Sequence, residues 1–402
     1  MDAWAAHHCV TSGFLVNYTL LFREGYRFTQ NHRVMKLCLK WHNLSLLYIW
    51  SGAQETIVKK MKLTDFDYHL PPDRIAQSPL QQRDGSRLLV VDREACAFHH
   101  TRFSEIGEYL PNDALLVLND TKVIPARLIG RKSGTGGKIE LLLIREKEPD
   151  IYEVLAKPRR SLRIGTRVVF GNRTLTAEVL AKPDDGHCIV RFNYDGEFSA
   201  ILAAIGMMPL PPYIQRPPNA EDKVRYQSVY AATEGAIAAP TAGLHFTQEL
   251  LEELKNNGIE IAMLTLHVGP GTFQPVKVEN IQTHKMHAEY IHLAETEANW
   301  IRTAREAGRK IVAIGTTVVR SLETASMTGT VHPYRGYSEL FIYPGHRFNA
   351  VDALVTNFHL PKSTLLMLVS AFAGKDLIQQ AYQEALQHKY RFYSYGDAML
   401  IL

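Results

Sequence analysis

The stretch KIVAIGTTVVRSLETA (Lys310–Ala325) runs from an apolar strand through a small Gly-Thr-Thr loop into a helical pattern. DALVTNFHLPKSTLLMLVSAFAG (Asp352–Gly374) repeats that scheme. Earlier in the chain, DALLVLNDTKVIPARL (Asp113–Leu128) gives an apolar strand, a polar Asn119-Asp120-Thr121-Lys122 loop and a second short apolar run. Strands that alternate with helices through such loops predict an α/β sheet, with ligands at the strand ends. SRLLVVDRE (Ser86–Glu94) reads as a further strand. TQELLEELKNNG (Thr247–Gly258) reads as a helix with Thr247 as its N-cap and Gly258 as its terminator.

Between Ile129 and Ala204 the texture changes. KIELLLIRE, IYEVLAKP, TRVVFG, LTAEVLA and HCIVRFNY are short β-rich runs broken by Gly, Asp, Asn and Pro. Strands at that spacing predict a small antiparallel barrel. The expected architecture is therefore a mixed α/β (α+β) domain of residues 61–128 and 205–402, interrupted by a β-barrel of residues 129–204. Residues 1–60 show no sustained period and carry three of the four tryptophans, then give way to a cleaner start at Met61. They are expected to be an extension, accessory or non-native, outside the fold.

Bulk properties narrow the function. Hydrophobic residues make up 46% and charged residues 21%, which is ordinary for a soluble globular chain. The formal charge of +4 is carried by residues 1–60, with seven Lys/Arg and three Asp/Glu. The remainder holds 45−7 = 38 basic and 41−3 = 38 acidic side chains, so a polyanion partner must use a local patch. Arg127 to Arg173 supplies one, with twelve Lys/Arg against five Asp/Glu. Its KPRRSLRIGTR run has no aromatics, which suits phosphate contacts rather than base stacking. Arg159, Arg160, Arg163 and Arg167 are the candidate RNA contacts. The four cysteines are far apart with no CxxC, which points to a reducing, cytoplasmic setting. No apolar run reaches the roughly 18 residues of a membrane span.

Five nearly uncharged segments are rich in Gly, Thr, His and Pro: MPLPPYI (208–214), APTAGLHF (239–246), LHVGPGTFQPV (266–276), IGTTVVRSLE (314–323) and VTNFHLP (355–361). Glycine admits close backbone approach and proline fixes a loop in advance. Unsatisfied N–H groups at helix starts bind ligand oxygens or ring nitrogens. Together these segments predict a preorganised pocket for a flat heteroaromatic ligand. Candidate contacts are Thr241, Gly243, Gly269, Gly271, Thr272, Gly315, Thr316, Thr317, Arg320 and Asn357. Any one of these residues alone has a bland reading: Gly315 with its threonines as a helix cap, Arg320 and Glu323 as a surface pair. The HKMH histidines His284 and His287 have a ligating spacing, but no HExxH accompanies them, so no metal is expected. Neither GxxxxGK[ST] nor GxGxxG occurs, which disfavours triphosphates and dinucleotides.

These motifs, with MKLTDFDYHLP, YQSVYA, LFIYPG and YRFYSYGDAMLI, resemble the bacterial S-adenosylmethionine:tRNA ribosyltransferase-isomerases of queuosine biosynthesis. The resemblance runs from Met61 to Leu402. It implies that the ribosyl part of S-adenosylmethionine passes to 7-aminomethyl-7-deazaguanine at the wobble position of a tRNA with a GUN anticodon. Epoxyqueuosine-tRNA forms, and adenine and methionine leave. It implies no cofactor, since S-adenosylmethionine is a consumed substrate, and a cytoplasmic monomer. The sulfonium makes the C5′ protons acidic, so the reaction needs a base, a donor for departing adenine and a dry site. His267, His245 and His359 are the candidate catalytic residues. Competing readings are a tRNA-binding module without catalysis, a histidine metallohydrolase and an ordinary methyltransferase.

Overall fold

The computed structural model describes residues 61–402 except Asp184, Asp185 and Gln274, and leaves the side chains of Thr272 and Phe273 outside the description. The chain divides into two compact units, residues 1–60 and 61–402. In the first, only the backbone of two antiparallel strands is described, Lys36–Trp41 and Leu44–Ile49.

The second unit is built on a nine-stranded sheet. Its order is Tyr334–Ser338, Glu289–Leu293, Glu260–Leu266, Leu115–Asn119, Ile311–Ile314, Ala353–Asn357, Ala398–Ile401, Arg87–Asp92 and Ala97–Arg102. The strands from Glu260–Leu266 to Ala353–Asn357 are mutually parallel. Leu115–Asn119 is buried at all five positions, as a parallel strand covered on both faces must be. Leu115 and Val117 pack with the helices Glu295–Glu306, Thr316–Ala325, Thr364–Ala373 and Lys375–Gln387. Leu116 and Leu118 pack on the opposite face with Leu250, Leu251 and Leu254 of the helix Gln248–Asn256. That helix starts as expected, with Thr247 Oγ1 accepting from Leu250 N at 3.1 Å.

The chain thus leaves Leu115–Asn119 toward one face of the sheet and Ile311–Ile314 toward the other. In open α/β sheets such a switch point opens a crevice at the carboxyl ends of the two strands.

The expected barrel is present. Six strands close in the order Arg167–Phe170, Leu175–Ala181, Cys188–Tyr194, Ile151–Lys157, Lys138–Glu148, Arg127–Lys132. Alternate residues such as Leu175, Ala177 and Val179 fill its core, and Leu202 of the helix Phe198–Ile205 packs there too. Arg127–Lys132 straddles residue 129, the expected boundary, and adds a strand to the five expected β-rich runs. Only Leu128 and Gly130 are buried along it, so half of its inward face is a glycine and the alternation is lost to view.

Candidate active site

The crevice is organised by one side chain, Asn119. Its Nδ2 donates to Leu266 O at 3.0 Å and to Thr317 Oγ1 at 3.3 Å. Its Oδ1 accepts from Leu266 N at 3.0 Å and Thr121 N at 3.1 Å. One buried amide thereby ties together the ends of two neighbouring strands and the first turn of the helix that follows Ile311–Ile314. Gly315 makes that helix start possible: its φ of 96° is left-handed, a conformation glycine adopts without penalty.

Around this knot lies a cleft of about 670 Å³, lined by Thr241, Gly315, Thr316, Thr317, Asn357 and His359 from the expected segments. Tyr213, Val268, Thr356, Ser363, Tyr393 and Ser394 complete it. Of these, Tyr213, Val268 and Thr356 belong to the expected segments, while Ser363, Tyr393 and Ser394 lie in motifs that carried the resemblance and are not among the expected contacts. A second cleft of about 730 Å³ shares Leu365 with the first and contains Gly271, Lys277, His284, His287, Glu289 and Arg320.

Asn357 is 2% exposed, and its Oδ1 has no hydrogen-bond partner. Its Nδ2 lies 3.1 Å from both Tyr393 O and His245 Nε2. A carbonyl only accepts, so Nδ2 must face Tyr393, and both amide protons are committed. His245 Nε2 is therefore the unprotonated nitrogen. Its Nδ1 donates to Ser86 Oγ at 2.7 Å. His245 stacks on Phe103 and is 4% exposed. Burial, then Arg391 and Arg83, lower its pKa to about 3, so the imidazole is neutral.

His359 sits in the cleft wall. Its Nε2 lies 2.8 Å from Thr356 Oγ1, its N–H donates to Tyr382 Oη at 2.9 Å, and its carbonyl accepts from Tyr68 at 2.5 Å. Nδ1 is the ring nitrogen left over. Burial lowers its pKa to about 3 as well.

His267 does not line the first cleft, although its neighbour Val268 does. Its Nδ1 is 2.8 Å from Thr121 Oγ1, and its ring stacks on Tyr290 at 5.8 Å. The ring also packs against Gly235, where a Cβ would lie 2.7 Å from Nε2. Partial burial lowers its pKa, and the charge of Asp120 opposes that shift. Of the three histidines only this one has a carboxylate working against burial.

The remaining expected contacts are placed as follows. Gly243 packs under Tyr230, whose hydroxyl would be 2.2 Å from an added Cβ. The Gly269 N–H donates to Glu289 Oε1 at 2.8 Å. Glu289 in turn forms a buried ion pair with Arg320. Arg320 and Glu323 are not a surface pair, because nearly the whole helix is buried. Glu323 accepts from Asn349 N at 2.9 Å and Ala350 N at 3.0 Å. The side chain of Thr272 lies outside the described residues. On the barrel, Arg160 and Arg163 are exposed. Arg167 is exposed beside Glu178 at 3.4 Å. Arg159 is half-buried and donates to the carbonyls of His187 and Pro183.

The sequence profile of the queuosine biosynthesis protein family matches residues 63–401. The S-adenosylmethionine:tRNA ribosyltransferase-isomerase of Acetivibrio thermocellus is 53% identical over 85% of this chain and 100% of its own length. That of Moorella thermoacetica is 54% identical over the same shares. A crystal structure of the S-adenosylmethionine tRNA ribosyltransferase from Thermotoga maritima is 40% identical, covering 84% of this chain and 100% of its own, with a TM-score of 0.49. At more than half identity over the full length of two curated relatives, this chain belongs to the queuosine biosynthesis family and is a transferase-isomerase enzyme.

Proposed function

We propose that this enzyme uses S-adenosylmethionine as a ribosyl donor to 7-aminomethyl-7-deazaguanine at the wobble position of a GUN-anticodon tRNA, releasing adenine and methionine. The observation that carries the reading is that Asn357, which lines the strand-end cleft, has a buried Oδ1 with no partner. A buried acceptor with no donor costs about 1–3 kcal/mol, and the exocyclic amine of adenine supplies the donor. The amide is aimed by Tyr393 O and by His245, so His245 is a positioning residue with both ring nitrogens committed.

His359 offers Nδ1 to the ligand as a neutral imidazole. At a pKa of about 3 it is too weak a base to take a proton from carbon near neutrality, where an effective base titrates close to the working pH. We assign that step to His267, where Asp120 offsets part of the effect of burial. No cofactor takes part, since the donor is itself consumed. The basic barrel engages the tRNA backbone. No helix among the described residues is long and apolar enough to cross a membrane. The enzyme acts as a cytoplasmic monomer in this reading.

Product analysis tests the reading. With tRNA bearing the precursor base, free adenine and methionine should appear in step with modified tRNA. Formation of S-adenosylhomocysteine instead would make the protein a methyltransferase and overturn the proposal.

A further inference from the structure

We propose that His100, Glu384 and His388 form a binding site for a divalent transition metal of the zinc class, on the outer edge of the sheet. His100 lies on Ala97–Arg102, the strand that ends the sheet. Glu384 and His388 are four residues apart at the end of the helix Lys375–Gln387, a spacing that places both on one helix face. Their ligand-type atoms all fall within 4.8 Å of one another.

The distances fit a metal centre. Tetrahedral zinc, with bonds of about 2.0–2.1 Å, holds neighbouring nitrogen and oxygen ligands roughly 3.3 Å apart. Here His100 Nε2 and His388 Nδ1 each lie 3.1 Å from Glu384 Oε1. The His100 and His388 rings are 4.3 Å apart between centroids. Small side-chain rotations would open the centre, and water would fill the fourth position. Two imidazoles and one carboxylate suit zinc, nickel or copper better than calcium or magnesium.

The surroundings support the assignment. His100 Nδ1 is 2.9 Å from the Tyr390 hydroxyl, which lies 3.4 Å from Leu88 O. A group behind the ring in this way fixes the orientation of a metal-bound histidine. When Nε2 becomes a ligand, its proton moves to Nδ1 and the Tyr390 hydroxyl turns its own toward Leu88. Three arginines, Arg87, Arg102 and Arg391, share this edge with His100 and His388, and Arg87 donates to the His388 carbonyl at 2.7 Å. Its charge is offset by Asp397 at 3.0 Å. A bound metal would clip the last helix to the edge strand beside the 389–395 segment, which brings Tyr393 to the cleft.

The test uses the full chain, stripped with chelator and titrated with Co²⁺ and Zn²⁺ near pH 7.5. One equivalent of Co²⁺ should give tetrahedral visible absorption that Zn²⁺ displaces, and Zn²⁺ should raise the melting temperature. His100→Gln and Glu384→Gln should each weaken binding at least tenfold, as loss of a ligand or its support does. His284→Ala/His287→Ala should leave the absorption unchanged. His100 and His388 are exposed and Glu384 is half-buried, so His388→Gln serves in place of any variant that misfolds. Absence of saturable binding, or binding that survives all three substitutions, would overturn the site.

Discussion

The Asn357 amide lies 3.1 Å from His245 Nε2 while its own Oδ1 stays buried and unpartnered. Loss of that acceptor should be felt in donor binding. Asn357→Ala is expected to lower kcat/KM for S-adenosylmethionine by about 5- to 150-fold, the equivalent of about 1–3 kcal/mol. A donor with a carbonyl in place of the adenine amine should suffer a similar loss with the native enzyme and little further loss with Asn357→Ala. Steady-state kinetics with both donors checks this. If the variant still discriminates fully between the donors, Asn357 does not read the amine.

His245 and His359 also set a pH limit on stability. Both have an ordinary value of 6.5, and burial brings each to about 3 in the folded chain. The unfolded chain therefore takes up protons first as pH falls. Stability is unaffected by these groups above 6.5, declines below it and levels off near 3. Each histidine contributes a slope of about 1.4 kcal/mol per pH unit. Denaturant unfolding between pH 7.5 and 5.5 should show this loss, and His359→Gln should reduce the slope by up to about 1.4 kcal/mol per pH unit. A flat profile would mean that neither imidazole is held neutral.

On the barrel, Arg160 and Arg163 are exposed while Arg159 is spent on two carbonyls. Arg160→Ala/Arg163→Ala should weaken tRNA binding and reduce the slope of log affinity against log salt by about 1 to 2, near one unit per phosphate contact. Arg159→Ala should chiefly lower the melting temperature, since it removes both of these hydrogen bonds. An unchanged salt slope in the double variant would move the RNA contact elsewhere.

Local pattern carried most of the architecture. Strand, loop and helix follow one another in KIVAIGTTVVRSLETA because each element's period is written in its own residues. The segments at strand ends were legible for the same reason, and Thr241, Gly315, Asn357 and His359 do meet in one cleft. Partnerships across the fold were not legible. Ser86 and His245 are 159 residues apart, and nothing near either signals the other. Arg320 has Glu323 one turn away, yet its partner is Glu289, 31 residues back, because burial of the whole helix face overrides the local pair. The edge cluster was missed likewise: His100 and His388 acquire meaning only once the last helix lies on the edge strand.

His267 is the sharpest test of the catalytic assignment. Its ring packs against Tyr290 and Gly235, with Nδ1 on Thr121. His267→Ala should leave the melting temperature and tRNA affinity nearly unchanged and lower kcat by about 10²–10⁴, the usual worth of a positioned acid or base. Gly235→Ala offers an independent route to the same end. An added Cβ there would sit 2.7 Å from Nε2 and 2.8 Å from Cε1, and the φ of 147° already favours glycine. The ring must move, so Gly235→Ala should cost turnover while His267 itself remains present. If the two effects arise from one displaced imidazole, the double variant should be no slower than His267→Ala alone, because residues acting as a unit are not additive. A near-normal kcat for His267→Ala would return this histidine to a structural role and pass the proton to another group.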